Sequence, residues 1–255
     1  MSDDDHEKMR KELDEILVLQ DLRTIASMVN QESLTTLDFV KLKRDAMTEF
    51  LGPWNEYAYA WFSLCSKFLQ INSLRAALIA CDEGLRLNPN DALMWSARGG
   101  ILNQGVQEVA MAIMMSGNKW KPLLEEYLGK NLQSQDISLA TEGAKTMRKM
   151  AIEAYHKATE LDPDNDVFWA GLADLLAQAN SDDAAAAFMK AIELNPDDKL
   201  YWTSLYHWYI KKDQEADAKQ LEEKAKNHNL DLKKEYKAHM ERVNEAKKKA
   251  MKGLF

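Results

Sequence analysis

The side chains that could do chemistry in this chain are few, and their spacing matches no catalytic motif. There are two cysteines in 255 residues, too few for a disulfide framework or a four-cysteine zinc site. No glycine-rich phosphate loop, dinucleotide fingerprint, zinc-binding His-Glu-x-x-His helix or hydrolase nucleophile elbow occurs. The sequence therefore predicts no enzyme, no cofactor and no metal site. The five histidines are scattered without the spacing of metal ligands: His6, His156, His207, His228 and His239.

The composition predicts a folded, helical protein. Hydrophobic residues make up 46% of the chain, which is ample for a packed core. Only ten glycines and five prolines occur, and Ala, Leu, Lys and Glu are plentiful, so the expected fold class is all-α. The longest apolar run, Val109 to Met115, is far shorter than the roughly 20 residues that cross a bilayer. Because residues 1–5 are acidic and polar, unlike a secretory signal, the expected location is cytoplasmic.

The net charge argues against a nucleic-acid partner. The net charge is −8, and a surface that binds nucleic acid needs an excess of Lys and Arg. Eight bases against three acids give residues 232–255 a net charge of +5. Because acids interrupt this run and no aromatic series accompanies it, a solvated helix face is favoured over a nucleic-acid or anionic-membrane contact.

An internal repeat is the strongest signal in the sequence. Three prolines follow Leu-Asn or Leu-Asp, and each is followed six residues later by a tryptophan. Proline and the flanking Asn or Asp end one helix and cap the next, so each tryptophan is expected in the first turns of a new helix. Trp61 lies 34 residues before Trp95. The tryptophans in register are Trp61, Trp95, Trp169 and Trp202.

This pattern resembles the tetratricopeptide repeat, a 34-residue helical hairpin that reads W-x2-L-G-x2-Y, then A-x3-F, then P. The resemblance is strong over residues 58–89 and 151–230. It implies an α-α superhelix, a solenoid of stacked hairpins with helical caps at both ends. The first unit matches at Trp61, Leu64, Cys65, Phe68, Ala77, Cys81 and Pro89, and the last departs from the pattern with Glu222 and Leu230.

The expected organisation follows from where the repeat matches and where it fails. Residues 1–55 are predicted to form capping helices, residues 56–105 a hairpin and the start of the next, and residues 151–230 further hairpins. A basic capping helix is predicted over 231–255. Residues 106–150 interrupt the pattern as divergent or inserted helices. We favour two divergent units there. The first continues with an apolar helix over residues 106–115, ended by a turn at 116–119. The second starts at Trp120, Leu123 and Tyr127, and its overlong second helix runs from about Ile137 to Leu161. A lobe projecting from one broken unit is the alternative.

The repeat also gives several conspicuous residues a structural interpretation. Gly99 falls on the repeat's small-residue position, so close helix packing is favoured over phosphate binding. Cys65 and Cys81 occupy facing positions of one hairpin, where core packing is favoured over redox chemistry. Burial is also favoured for the methionine cluster, with a hydrophobic docking patch as the alternative; its members are Met111, Met114 and Met115.

The resemblance implies where a partner would bind. In such repeats the first helices line a concave groove, and the matching positions here are mostly apolar or neutral. The positions that form a carboxylate clamp in some members hold Phe62, Ser66, Ala97, Val167 and Gly171, so no clamp is expected. The predicted groove residues are Tyr59, Phe62, Leu69, Gln70, Leu93, Asn103, Gln104, Val167, Asp174, Gln178, Leu200, Thr203 and His207.

The predicted function is that of a non-catalytic scaffold or adaptor for protein–protein interaction. Its partner would be an apolar or amphipathic peptide segment of another protein, held in the groove, and not a small-molecule substrate or a nucleic acid. The alternative is an assembly or secretion chaperone that shields a hydrophobic client segment. An enzyme hidden in residues 106–146 or at the N-terminus is the least favoured hypothesis. Because both ends read as capped, a monomer or weak homodimer is expected.

Overall fold

The structure is a computed structural model that describes residues 3–17, 36–116, 120–128, 132 and 137–252. These residues form α-helices joined by short connections, and no strand occurs among them. The predicted all-α, helical-repeat fold is confirmed. The chain divides into two compact units, Met1–Pro163 and Asp164–Phe255.

The first unit contains seven α-helices among its described residues. A 3-10 helix over Gly52–Glu56 joins the second to the third. The α-helices are α1 (Asp3–Ile16), α2 (Thr36–Leu51), α3 (Ala58–Gln70), α4 (Leu74–Leu87), α5 (Ala92–Ser116), α6 (Trp120–Leu128) and α7 (Ile137–Leu161).

The second unit consists of two hairpins and a final helix. Its helices are α8 (Asp166–Gln178), α9 (Asp183–Leu194), α10 (Lys199–Lys211), α11 (Glu215–Lys226) and α12 (Leu232–Lys252). None of the helices in the described ranges has both the length and the apolar character that a membrane span requires.

The recurring tryptophan stabilises the turn between hairpins by a hydrogen bond. The indole Nε1 of Trp95 donates a hydrogen bond to the carbonyl oxygen of Pro89 at 2.8 Å, and Trp202 donates likewise to Pro196 at 2.9 Å. Trp61 repeats the contact with the residue six positions earlier, Asn55, at 2.6 Å. Each bond satisfies a carbonyl in the turn, so the spacing between turn and tryptophan has a direct physical cause.

A second recurring signal ends the first helix of each hairpin. Eleven residues after three of the tryptophans comes an Asn or Asp with left-handed backbone: Asn72 (φ 55°), Asn180 (φ 60°) and Asp213 (φ 56°). The next backbone N–H then bonds back to the last turn, as Ser181 does to the Leu176 carbonyl at 2.9 Å. This is the Schellman helix end, with Asn or Asp in the place where Gly is commonest.

Replacing Asn180 by valine is expected to lower the free energy of unfolding by about 1–2 kcal/mol, because a β-branched residue resists the left-handed region. Glycine at the same position is expected to be neutral or stabilising. Urea denaturation of the full chain measures both effects. Ala179→Val is the matched control, since Ala179 is exposed and has a right-handed backbone at φ −77°. Equal losses in the two valine variants would contradict the assignment.

The repeat that begins at Trp95 lacks this stop signal. Its eleventh residue after tryptophan is Val106, which is buried, and α5 runs on through it to Ser116. The separate helix expected over residues 106–115 is therefore wrong, because residues 92–116 form one helix. The burial favoured for Met111 and Met114 of this helix is also wrong, since their exposed fractions are 60% and 86%. The turn expected at 116–119 lies outside the described residues except for Ser116.

α5 and α7 form one elongated hairpin, and α6 packs against both. Glycines permit the close approach. A β-carbon on Gly105 would lie 2.6 Å from the Tyr127 ring of α6, and one on Gly143 would lie 2.2 Å from Leu124. α6 is thus held by direct packing on the hairpin.

Helices outside the repeats cover the ends of the chain. In α1 and just after it, Met9, Leu13 and Leu17 are buried. Residues 18–35 of the predicted N-terminal capping region lie outside the described residues. The expected C-terminal helix is present as α12, and its Leu232 is buried. The side chains of Lys247 to Lys249 lie outside the described residues.

Candidate functional site

One predicted groove residue at the start of each of four hairpins is an exposed apolar residue. The exposed fractions are 41% for Tyr59, 57% for Leu93, 59% for Val167 and 71% for Leu200. Each lies in the first turn of the first helix of its hairpin, at α3, α5, α8 and α10. Large apolar side chains on a solvent-facing surface are costly to hydrate, and their recurrence at one register defines a candidate contact surface in each unit.

In the first repeat, the N-terminal helix faces the predicted groove residues. The guanidinium of Arg10 in α1 lies 5.7 Å from the centre of the Tyr59 ring, within cation–π range. Together with Leu13 and Leu17, it lines a cleft of about 380 Å³ whose other wall includes Tyr59 and Phe62. Part of this groove face is thus covered by the chain itself. Farther along α3, Leu69 is half-buried and Gln70 is exposed.

In the second repeat, the predicted residues extend along α5. Leu93 and Gln104 are exposed, and Asn103 is half-buried. The side-chain oxygen of Asn103 is buried and accepts no hydrogen bond from the part of the chain that the structure describes. Gly100 between them has open space, since a β-carbon there would meet only the Tyr155 hydroxyl at 3.5 Å.

In the second unit, three predicted groove residues line one cleft of about 200 Å³. Asp174 and Gln178 come from α8, and His207 comes from α10. Ala177 and Lys211, which also stand at groove positions of their repeats, line the cleft together with Phe188, Ser204 and Trp208. Phe188 and Trp208 are buried and form an apolar floor. Phe188 matches the aromatic position of the repeat's second helix and Trp208 stands at no groove position, so groove positions alone did not identify them.

Two ionisable groups of this cleft, Asp174 and His207, have shifted pKa values. Asp174 is exposed at the mouth, yet the surrounding protein removes enough hydration to raise the pKa of its carboxyl to about 6. Burial, with nearby His239 and Lys211, lowers the pKa of His207. At neutral pH the cleft therefore contains an ionised Asp174 and a neutral His207.

Aromatic and charged contacts fix the rest of the cleft wall. The ammonium groups of Lys211 and Lys212 lie 5.7 and 4.7 Å from the centre of the Trp208 ring, and Lys212 also pairs with Asp182 at 2.9 Å. Lys211 itself is exposed. These contacts hold both cations at the Trp208 ring.

The C-terminal helix packs on α10 next to the cleft. The ring of Tyr236 lies edge-on to His207 at 5.5 Å and to Tyr206 at 5.6 Å. The Tyr206 hydroxyl donates to Glu222 at 2.9 Å. The Thr203 hydroxyl, also in the predicted set, donates to the Lys199 carbonyl of its own helix at 2.7 Å, which leaves its methyl group for contacts outward.

The two cysteines are buried neighbours within one hairpin, and both are free thiols. The hydrogen bond with Cys65, together with burial, raises the pKa of the Cys81 thiol well above its ordinary value. The Cys81 thiol also contacts the Met94 carbonyl oxygen at 3.2 Å. A buried, protonated thiol is a poor nucleophile. Among the described residues, no three His, Cys, Asp or Glu side chains are grouped to hold a metal.

Sequence reasoning missed two other features of the first unit. One is a cleft of about 660 Å³ between α4, α5 and α7, with Trp95 and Met150 in its walls and an Arg98–Asp82 ion pair of 2.7 Å at its edge. The other is a buried ion-pair cluster of Lys43, Arg75 and Glu126. The repeat signature specifies neither, since each joins elements far apart in the sequence.

The comparisons with known proteins agree with this architecture. Residues 149–206 match the family model of the tetratricopeptide repeat. The crystal structure of MamA matches with a TM-score of 0.50 at 16% identity, over 80% of this chain and 94% of that one. At that identity the match establishes a common fold.

Two further solved structures match with a TM-score of 0.32. One is a second structure of MamA, at 16% identity over 68% of this chain and 96% of that one. The other is YrrB, described as a TPR protein with an unusual peptide-binding site, at 18% identity over 71% of this chain and 91% of that one. No curated protein matches the sequence at a significant level.

Proposed function

Because the chain is a tetratricopeptide-repeat protein, we propose that it acts as a scaffold that holds another protein through the groove face of its first helices. The bound element is an apolar or amphipathic peptide segment, and no chemical step is involved. The observation that carries this proposal is the recurrence of an exposed apolar side chain at one register: Tyr59, Leu93, Val167 and Leu200.

The energetic case rests on the exposed area. Full burial of an aliphatic side chain contributes about 1.5–3 kcal/mol, so covering a few such residues supplies a useful part of a peptide's binding free energy. Val167 and Leu200 are more than half exposed, so most of their burial free energy is gained only when a partner covers them. Apolar contacts respond weakly to ionic strength, so binding at this face is expected to change little with added salt.

Replacing both Val167 and Leu200 by aspartate is expected to weaken partner binding at least tenfold, since each change removes apolar contact and requires a charge to be desolvated. Both residues are exposed, so the fold is expected to be retained. A partner is first recovered by affinity purification from the native cell. Its dissociation constant is then measured at low and high salt with purified wild-type and variant chains.

The matched control is Leu42→Asp, which changes an exposed leucine on α2 outside the groove set. Binding that is equally affected in the control, or that falls steeply with salt in the wild type, would contradict the proposal. If the recovered protein is bound only before it folds, and is rescued stoichiometrically from aggregation, the chaperone alternative replaces the scaffold. We place this interaction in the cytoplasm, in keeping with the two free, buried thiols. We also assign the chain to a monomer or weak homodimer.

A further inference from the structure

We propose that the α8–α10 cleft of the second unit binds a Lys or Arg side chain of the partner segment, with Asp174 as the carboxylate that pairs with it. This inference rests on the proposed function, because it names the chemistry that one part of the groove recognises. It identifies a specificity-determining residue that the repeat signature does not define.

The shape and polarity of the cleft fit an amphipathic cation. Its floor is apolar and buried, formed by Phe188 and Trp208, whereas Asp174 and Gln178 stand at its mouth. Lys and Arg combine an aliphatic stem with a charged head, so the stem can cover the floor while the head reaches the carboxylate. A purely aliphatic side chain would cover the floor and leave the ionised Asp174 partly dehydrated, at a cost.

The Asp174 carboxylate is not neutralised by the chain's own cations. It makes no ion pair or hydrogen bond with any residue in the described ranges. The nearest candidates in the cleft are Lys211, whose ammonium lies at the Trp208 ring, and His207, which is neutral at pH 7. Lys212 is paired with Asp182. A partner's cation therefore does not have to displace an existing ion pair.

The carboxylates nearest the cleft favour the same sign of partner side chain. Burial raises the pKa of the Tyr201 hydroxyl, and Asp166, Asp198 and Asp174 raise it further, which places three carboxylates around the start of α10. The attraction is local, because the basic α12 packs beside the cleft and residues 164–255 together hold 17 acids and 15 bases. An acidic side chain at the cleft mouth would meet repulsion from Asp174, whereas a basic one is attracted, and one such pair adds little to the salt dependence of the whole segment's binding.

The test is a selection of peptides from a random display library by the purified full-length chain. The wild-type chain is expected to enrich peptides that combine aliphatic residues with a Lys or Arg. The Asp174→Lys chain is expected to enrich peptides that carry Asp or Glu in place of that basic residue. It is also expected to bind the wild-type-selected peptides about tenfold more weakly. Replacing the selected Lys by norleucine should lower the peptide's affinity for the wild-type chain by a similar factor. The same replacement should leave the peptide's affinity for the Asp174→Asn chain nearly unchanged.

Asp197→Lys is the matched control, because Asp197 is an exposed acid of the same unit outside the cleft and the change alters net charge equally. If the control shifts the selected peptides as Asp174→Lys does, or if Asp174→Lys selects the same basic residue, the inference is overturned. Peptides that keep their affinity for a Leu200→Asp chain would instead overturn the proposed function. Circular dichroism of each variant checks that it is folded, so that a lost interaction can be attributed to the cleft.

Discussion

Replacing Glu126 by alanine is expected to lower the free energy of unfolding by about 3–5 kcal/mol, the usual cost of breaking a buried ion pair on one side. Glu126 on α6 accepts a hydrogen bond from the Lys43 ammonium of α2 at 2.5 Å and another from the Arg75 guanidinium of α4 at 2.7 Å. Three helices of the first unit thus meet at one carboxylate. Chemical denaturation of the full chain measures the loss.

The size of this effect follows from what the mutation leaves behind. The Lys43 side chain is 3% exposed, and its burial lowers the pKa of the ammonium, an effect that Glu126 opposes. Without Glu126, Lys43 keeps the cost of burial, and it also keeps the repulsion from Arg75 that lowers its pKa further. Arg75 is about one-third exposed and can turn to water, so most of the penalty belongs to Lys43.

Two variants separate the buried cluster from ordinary surface charge. Glu142→Ala removes an acid whose side chain is 70% exposed and whose pair with Lys145 spans 3.6 Å, so a change below about 0.5 kcal/mol is expected. Lys43→Met with Glu126→Leu removes both buried charges, and is expected to recover most of the stability that Glu126→Ala loses. A double variant as unstable as Glu126→Ala would show that packing, and not charge, holds this position.

The repeat is readable from the sequence because its signals are local. The tryptophan bonds to the carbonyl six residues earlier, and the left-handed Asn or Asp follows eleven residues later. Val106 is informative for the same reason: a buried β-branched residue at the stop position continues the helix. That single residue rules out a separate helix from residue 106, and a comparison of the four units at this position would have found it.

The site was less predictable because its surroundings come from distant parts of the chain. Groove register includes Gln178 and His207, which line the cleft with Asp174, but it misses Ser204 and Trp208 and has no information about helices outside the repeats. α1 reaches Tyr59, and α12 reaches His207, through contacts that no local spacing encodes. The Lys43–Glu126 pair spans 83 residues for the same reason. Long-range pairing depends on how elements pack, and one sequence does not reveal it.

Gly99→Leu is expected to destabilise the first unit by about 3 kcal/mol, at the upper end of the usual cost of overpacking. A β-carbon on Gly99 would lie 2.5 Å from the Tyr155 ring and 3.2 Å from the Ala151 carbonyl oxygen, both on α7. The ring is not the only obstacle, since the carbonyl belongs to the helix backbone. α5 and α7 must therefore separate to accept the side chain, and their interface is the most extensive in the chain.

The neighbouring glycine makes the prediction discriminating. A β-carbon on Gly100 would meet only the Tyr155 hydroxyl at 3.5 Å, an ordinary contact, so Gly100→Ala is expected to stabilise by up to about 1 kcal/mol through helix propensity. Gly99→Ala gains the same propensity but must also move α7, so it should be the less stable of the two alanine variants. Thermal denaturation is expected to rank the three variants, from most to least stable, as Gly100→Ala, Gly99→Ala and Gly99→Leu. If Gly99→Ala were as stable as Gly100→Ala, the α5–α7 contact would not be the reason that a glycine stands at the repeat's small-residue position.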